Sequence, residues 1–207
     1  MVLGLDDAGP RALSREEIET FGDYFTQHLV LQGKAPLTFA GLDDALRALP
    51  PDTRLNVRDL FAVAEGAHFL RSEPPFSANT RLVFVWRKDD SSKPDVMLST
   101  VAAPDDPTAL MQLIAWSESD GAFHYFERTR DGSGWMWAGN SFHALEPKTR
   151  GRGPFDSHIN GSLVMKELKF PWVHWHSQAD GISRSALFPT PVDHRCLLRS
   201  IQSGSAS

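Results

Sequence analysis

Apolar residues return at helical spacing in the first part of the chain. Ile18, Phe21, Phe25 and Leu29 recur every three or four positions behind Ser14-Arg15-Glu16-Glu17, a spacing that lines one face of a helix. The preceding segment reads as a capping box, in which the Ser14 hydroxyl accepts from the Glu17 amide and the Glu17 carboxylate accepts from the Ser14 amide. These signals predict an amphipathic helix over 14–33, stopped near Gly33. A second, short helix is expected over 42–49, halted by Pro50-Pro51, because proline excludes the helical conformation in the residue before it. A third is expected over 58–70, closed by Pro74-Pro75.

From Arg81 the period changes. Arg-Leu-Val-Phe-Val-Trp over 81–86 is rich in β-branched and aromatic residues, as strands are. Further strands are expected over 96–101, 110–117, 122–128 and 134–138. They are separated by short polar segments such as Glu118-Ser119-Asp120-Gly121 and Arg130-Asp131-Gly132-Ser133. Connections this short favour antiparallel neighbours over crossover units. A further helix is expected over 156–169, followed by the aromatic run 170–177. No repeat and no long linker divides the chain. The pattern therefore predicts one α+β domain over residues 1–200, with N-terminal helices packed on a curved antiparallel sheet or small barrel, and a disordered tail over 201–207.

Composition narrows the function classes. The chain has 207 residues, of which 41% are hydrophobic, with 13 Phe and 6 Trp, enough apolar surface for a real core. Its formal charge of −5 offers no general attraction to nucleic acid or to an anionic membrane. Residues 148–207 nevertheless carry eight basic and four acidic side chains, so a local anion site is compatible with the balance. Cys196 is the single cysteine, which excludes an intrachain disulfide and a cysteine-based zinc cluster. With no apolar run near 20 residues and no signal-like N-terminal stretch, a cytoplasmic setting is expected.

The chemistry-bearing residues concentrate between His124 and His176, which include five of the eight histidines. If 172–176 is a strand, its period of two places His174 and His176 on one face with Trp172, and two imidazoles converge. If it is helical, residues two apart point about 200° apart and cannot chelate together. His158 is the favoured third ligand, with His124 and Glu127 as alternatives of opposite strand parity. His158, His174 and His176 would then hold a divalent transition metal. In a metal-free version a histidine serves as general acid or base, oriented by Asp156. Arg150 and Arg152, between glycines, suit an anionic ligand group. Trp135, Trp137 and Trp172 would wall an aromatic pocket, or form part of the sheet core. The expected function is a small-molecule enzyme with a His-centred, aromatic-lined pocket. The alternative is a non-catalytic protein that holds haem non-covalently, there being no Cys-x-x-Cys-His segment, or another hydrophobic ligand. The expected partner is a small organic ligand with an anionic group, with neither nucleic acid nor membrane involved.

Overall fold

Eight strands among the described residues carry the fold. A computed structural model describes residues 1–6, 9–64, 80–89, 93–101, 110–149 and 152–156. In chain order the strands are β1 (Val2–Asp6), β2 (Gly9–Ala12), β3 (Val57–Ala64), β4 (Thr80–Arg87), β5 (Val96–Val101), β6 (Met111–Ser117), β7 (Ala122–Arg128) and β8 (Trp135–Asn140). They form one sheet in the order β2-β1-β8-β7-β6-β5-β4-β3. From β3 to β8 each strand pairs antiparallel with its chain neighbour, and for β4 to β8 the short polar turns imply this. β1 joins the far side of β8 in parallel.

The expected architecture of N-terminal helices packed on a curved antiparallel sheet or barrel is corrected by this arrangement. The sheet is open, with β2 and β3 at its edges, and mixed, because β1 runs parallel to β8. It begins at Val2, and the helical content among the described residues is three short segments and single 3-10 turns. The Ser14 capping box forms with both of its hydrogen bonds, but the helix it starts, α1 (Arg15–Glu19), ends after five residues. Gly22 is a poor helix former, and Asp23 starts a new segment by accepting the Thr26 amide at 2.9 Å. A π-helical turn, Thr26–Val30, follows. α2 (Phe39–Arg47) begins at Thr38, whose hydroxyl accepts the Gly41 amide.

The helix expected over 58–70 is also corrected. Residues Val57–Ala64 are β3, paired along their whole length with β4, and 65–70 lie outside the described residues. Leu60 and Val63 satisfy a helical spacing by coincidence. Pairing brings Leu60 opposite Phe84 and Arg58 opposite Trp86, and such tertiary contacts override weak local preference.

One face of the sheet shares its core with residues 21–55. Phe25, Leu29, Phe39, Leu42 and Leu46 cluster with Leu82, Phe84, Trp86, Leu98, Leu113 and Trp135. Phe39 lies 4.1 Å from Phe84 between ring centroids, and Phe25 meets Trp135 edge-on at 5.2 Å. On the opposite face, Ile114, Phe123, Tyr125 and Ala138 pack with Ala144 and Phe155, which lie on 3-10 turns after β8. No helix among the described residues is long and apolar enough to cross a membrane.

Candidate functional site

The most unusual polar group in the fold is a carboxyl with no access to water. Asp23 is 0% exposed. It sits where the chain turns between α1 and the π-helical turn, bridged to Ser117 at the end of β6. Its Oδ1 accepts from Thr26, and its Oδ2 has no hydrogen-bond partner among the described residues. Burial pushes the Asp23 carboxyl above the usual range, with the attraction of His124 opposing.

His124 faces this carboxyl from β7. Its Nδ1 lies 3.6 Å from Asp23 Oδ2, too far for a hydrogen bond. The same nitrogen accepts the Trp137 indole N–H at 3.2 Å, while Nε2 is 2.7 Å from Asp120 Oδ2. Asp120 is four residues earlier, and the tight β6–β7 turn folds it back over the ring. Gly121 makes that turn at φ +59°, a conformation that glycine adopts at no steric cost. Desolvation raises the Asp120 carboxyl, but its hydrogen bonds with His124 and Ser117 outweigh this and leave it below the ordinary value. Phe21 and Trp137 pack against each other with tilted rings, 4.3 Å between centroids, and flank the imidazole.

Behind Trp137 stands His143, whose Nδ1 accepts the Asn140 amide at 3.1 Å. Gly139 allows this approach. Its φ is +128°, and a Cβ there would lie 2.8 Å from His143 Cβ. Gly139→Ala should therefore lower unfolding stability by about 1–3 kcal/mol, the range for a strained backbone position. It should also shift the Trp137 indole resonance, and a denaturant melt with an amide spectrum checks both.

A cleft of about 620 Å³ opens beside this group, lined by Gly22, Tyr24, His28, Lys93, Trp116 and Glu118 among others. Gly22 is the shared wall: a Cβ on it would come within 1.9 Å of Ser119 Oγ and 2.7 Å of Ser117 Oγ, and both serines hydrogen-bond Asp120. Lys93 Nζ sits 4.1 Å over the Trp116 ring and 2.7 Å from Glu118, which also accepts the Trp116 indole N–H. On the other wall Tyr24 and His28 have ring centroids 4.5 Å apart, with the Tyr24 hydroxyl donating to the Thr53 carbonyl. Burial pushes the Tyr24 phenol up and the His28 imidazole down. Both are therefore held neutral, so the cleft has a neutral aromatic wall facing a charged one.

Of the residues singled out from the sequence, Trp137 is brought to His124, and Trp135 shares its strand face but lies 1% exposed in the core. Arg152 is partly exposed just before the 3-10 turn Gly153–Asp156, at whose end the backbone of Asp156 lies. Arg150, His158, Trp172, His174 and His176 lie outside the described residues, as do the 156–169 helix beyond Asp156 and the tail over 201–207. Among the described residues no group of three His, Cys, Asp or Glu is placed to hold a metal ion. Asp23 and Asp120 approach different nitrogens of His124 and so do not converge on one point. Sequence reasoning missed Asp23 and Asp120. Asp120 was legible in part, since a tight turn between two strands returns the residue before it toward the start of the next. Asp23 was hidden inside an apparently continuous helical face. Comparison of the chain with protein-family models, with curated proteins and with solved structures gives no match.

Proposed function

We propose that the protein binds a small organic molecule in the cleft beside Gly22 and acts on it by histidine-centred acid–base chemistry. The observation that carries this reading is the His124–Asp120 pair, with one carboxylate at the protein surface and a buried imidazole behind it, sharing the Gly22 wall with an aromatic cleft. Asp120 is 31% exposed in its side chain and His124 3%, so Asp120 is the member that reaches solvent and His124 sets its hydrogen bonding. A carboxylate partnered by imidazole is a general acid–base pair when it meets a ligand. The cleft supplies flat surfaces from Tyr24 and His28, and a planar ligand with an anionic group would take over Lys93 from Glu118 and the Trp116 face that Lys93 now covers. Carboxylate recognition by an ammonium is a charge-assisted contact.

Benzoate is a direct probe. It should bind saturably, with Kd near about 1 mM corresponding to ~4 kcal/mol, and shift the Trp116 indole and His28 ring resonances. Trp116→Leu should abolish the His28 shift. The His124 Nε2–H resonance should move in the same titration, which reports on the acid–base pair. Saturable binding that leaves His124 undisturbed would reduce the cleft to a binding site, and no saturable shift would remove the ligand reading.

A further inference from the structure

We propose that Asp23, His124 and Asp120 form a proton store, in which Asp23 rests as a neutral carboxylic acid, His124 as a neutral imidazole with its hydrogen on Nε2, and Asp120 as the accepting carboxylate. The hydrogen-bond directions favour this distribution. The Trp137 N–H can only donate, so His124 Nδ1, 3.2 Å away, must present a lone pair. The single ring hydrogen of the neutral imidazole then lies on Nε2 and is donated to Asp120 at 2.7 Å. A charged Asp23 would set its unpartnered Oδ2 against that lone pair, fully buried and with no hydrogen between them. A protonated Oδ2 faces that lone pair across 3.6 Å and donates to it only by sharing it with, or displacing, the Trp137 N–H. Burial favours the same neutral form.

Two influences oppose the neutral form of Asp23: the attraction that a protonated His124 would exert, and hydrogen bonding from Thr26. Among the described residues Asp23 makes no Lys or Arg ion pair, and the ionisable group at ion-pair distance from it is His124. Asp120 approaches from the β6–β7 turn, and His143, beyond Trp137, has its Nδ1 occupied by the Asn140 amide.

Discharge of the store balances without another reactant. The Asp23 Oδ2–H bond breaks as the His124 Nδ1–H bond forms, and the Nε2–H bond breaks as the Asp120 Oδ2–H bond forms. One negative charge moves from Asp120 to Asp23. The step is uphill at rest, because Trp137 loses its acceptor and the charge enters the core. A ligand that takes the proton from Asp120 would draw it forward. That use rests on the function proposed above, whereas the resting proton distribution is a property of the ligand-free protein.

Infrared difference spectra of the ligand-free protein test it. Wild type minus Asp23→Asn at neutral pH should show the carbonyl stretch of one protonated carboxyl, and the ¹⁵N shifts of His124 should report a hydrogen on Nε2 alone. Stability against pH gives a further readout. A raised folded-state value for Asp23 means that wild-type stability falls as pH rises from the ordinary aspartate range through the folded value, then levels off. Asp23→Asn lacks that fall, so its stability relative to wild type should grow across the same window. Absence of the carboxyl band, a His124 protonated on Nδ1, or parallel pH profiles would each overturn the proposal. If Asp23→Asn does not fold, the wild-type ¹³C carboxyl shift of Asp23 and the His124 nitrogen shifts decide alone. A cleft that fails to bind benzoate leaves all these readouts unchanged, so the two readings fail separately.

Discussion

Alanine in place of Asp43 should lower unfolding stability by about 3–5 kcal/mol, the cost of removing one partner from a buried ion pair. Asp43 lies on α2 with 5% of its side chain exposed, and it accepts from Arg58 of β3 at 2.6 Å. It also accepts from Arg47 at 3.0 Å and faces the Trp86 indole N–H at 3.4 Å. Arg58 is 12% exposed, so without Asp43 its charge is left in a largely apolar setting. Arg47 is 57% exposed and water replaces its partner at little cost. Arg47→Ala is therefore the control, expected to change stability by less than about 1 kcal/mol. The double replacement Asp43→Leu with Arg58→Met should recover much of the loss, since a buried ion pair is often no better than apolar side chains of similar volume. Urea melts of the four proteins check the set, and a loss under about 1 kcal/mol for Asp43→Ala would show that the carboxylate is not what joins α2 to the sheet edge.

The second large effect is expected at Trp135. Its ring is buried, meets Phe25 edge-on, and donates its indole N–H to the Pro36 carbonyl at 3.1 Å. Arg128 holds the adjoining carbonyl of Leu37 at 2.7 Å, so the chain entering α2 is tied to β7 and β8 by two side chains. Trp135→Ala should cost about 3–5 kcal/mol through the cavity it leaves. Trp135→Phe keeps most of the ring volume and should cost ~1 kcal/mol, the usual worth of the lost hydrogen bond. Neither aromatic face of Trp135 lines the cleft. Benzoate titration of Trp135→Phe should therefore match wild type, whereas Trp116→Leu loses binding. A Trp135→Phe protein that is fully stable but no longer binds would place this side chain in the ligand site.

How much of this was legible follows from the range of the interactions involved. The Ser14 capping box is written in four consecutive residues, and it forms as read. The strands from β4 to β8 are bounded by short polar turns, and their pairing follows from turn length. Trp135 and Trp137 fall on one face because a strand alternates. The break after Glu19 was less visible, since Ile18 and Phe21 keep a helical spacing on either side of it. Just past the break, Gly22 lies where a Cβ would collide with Ser117 and Ser119, residues nearly a hundred positions away along the chain.

Local order, in short, came from the sequence by itself: where strands alternate, where tight turns fall, which residue caps a helix, and that aromatic residues are numerous enough for a core. These depend on neighbours within a few positions, whose geometry the backbone dictates. The tertiary structure alone decided that β1 adds in parallel to β8, that 57–64 is an edge strand, and that the sheet stays open. It alone placed a carboxyl from residue 23 against an imidazole from residue 124 and left one oxygen unpaired. Such placements depend on which distant segments exclude water from each other. Burial then pushes the Asp23 carboxyl above its usual range, because removal from water penalises an ion far more than a neutral acid.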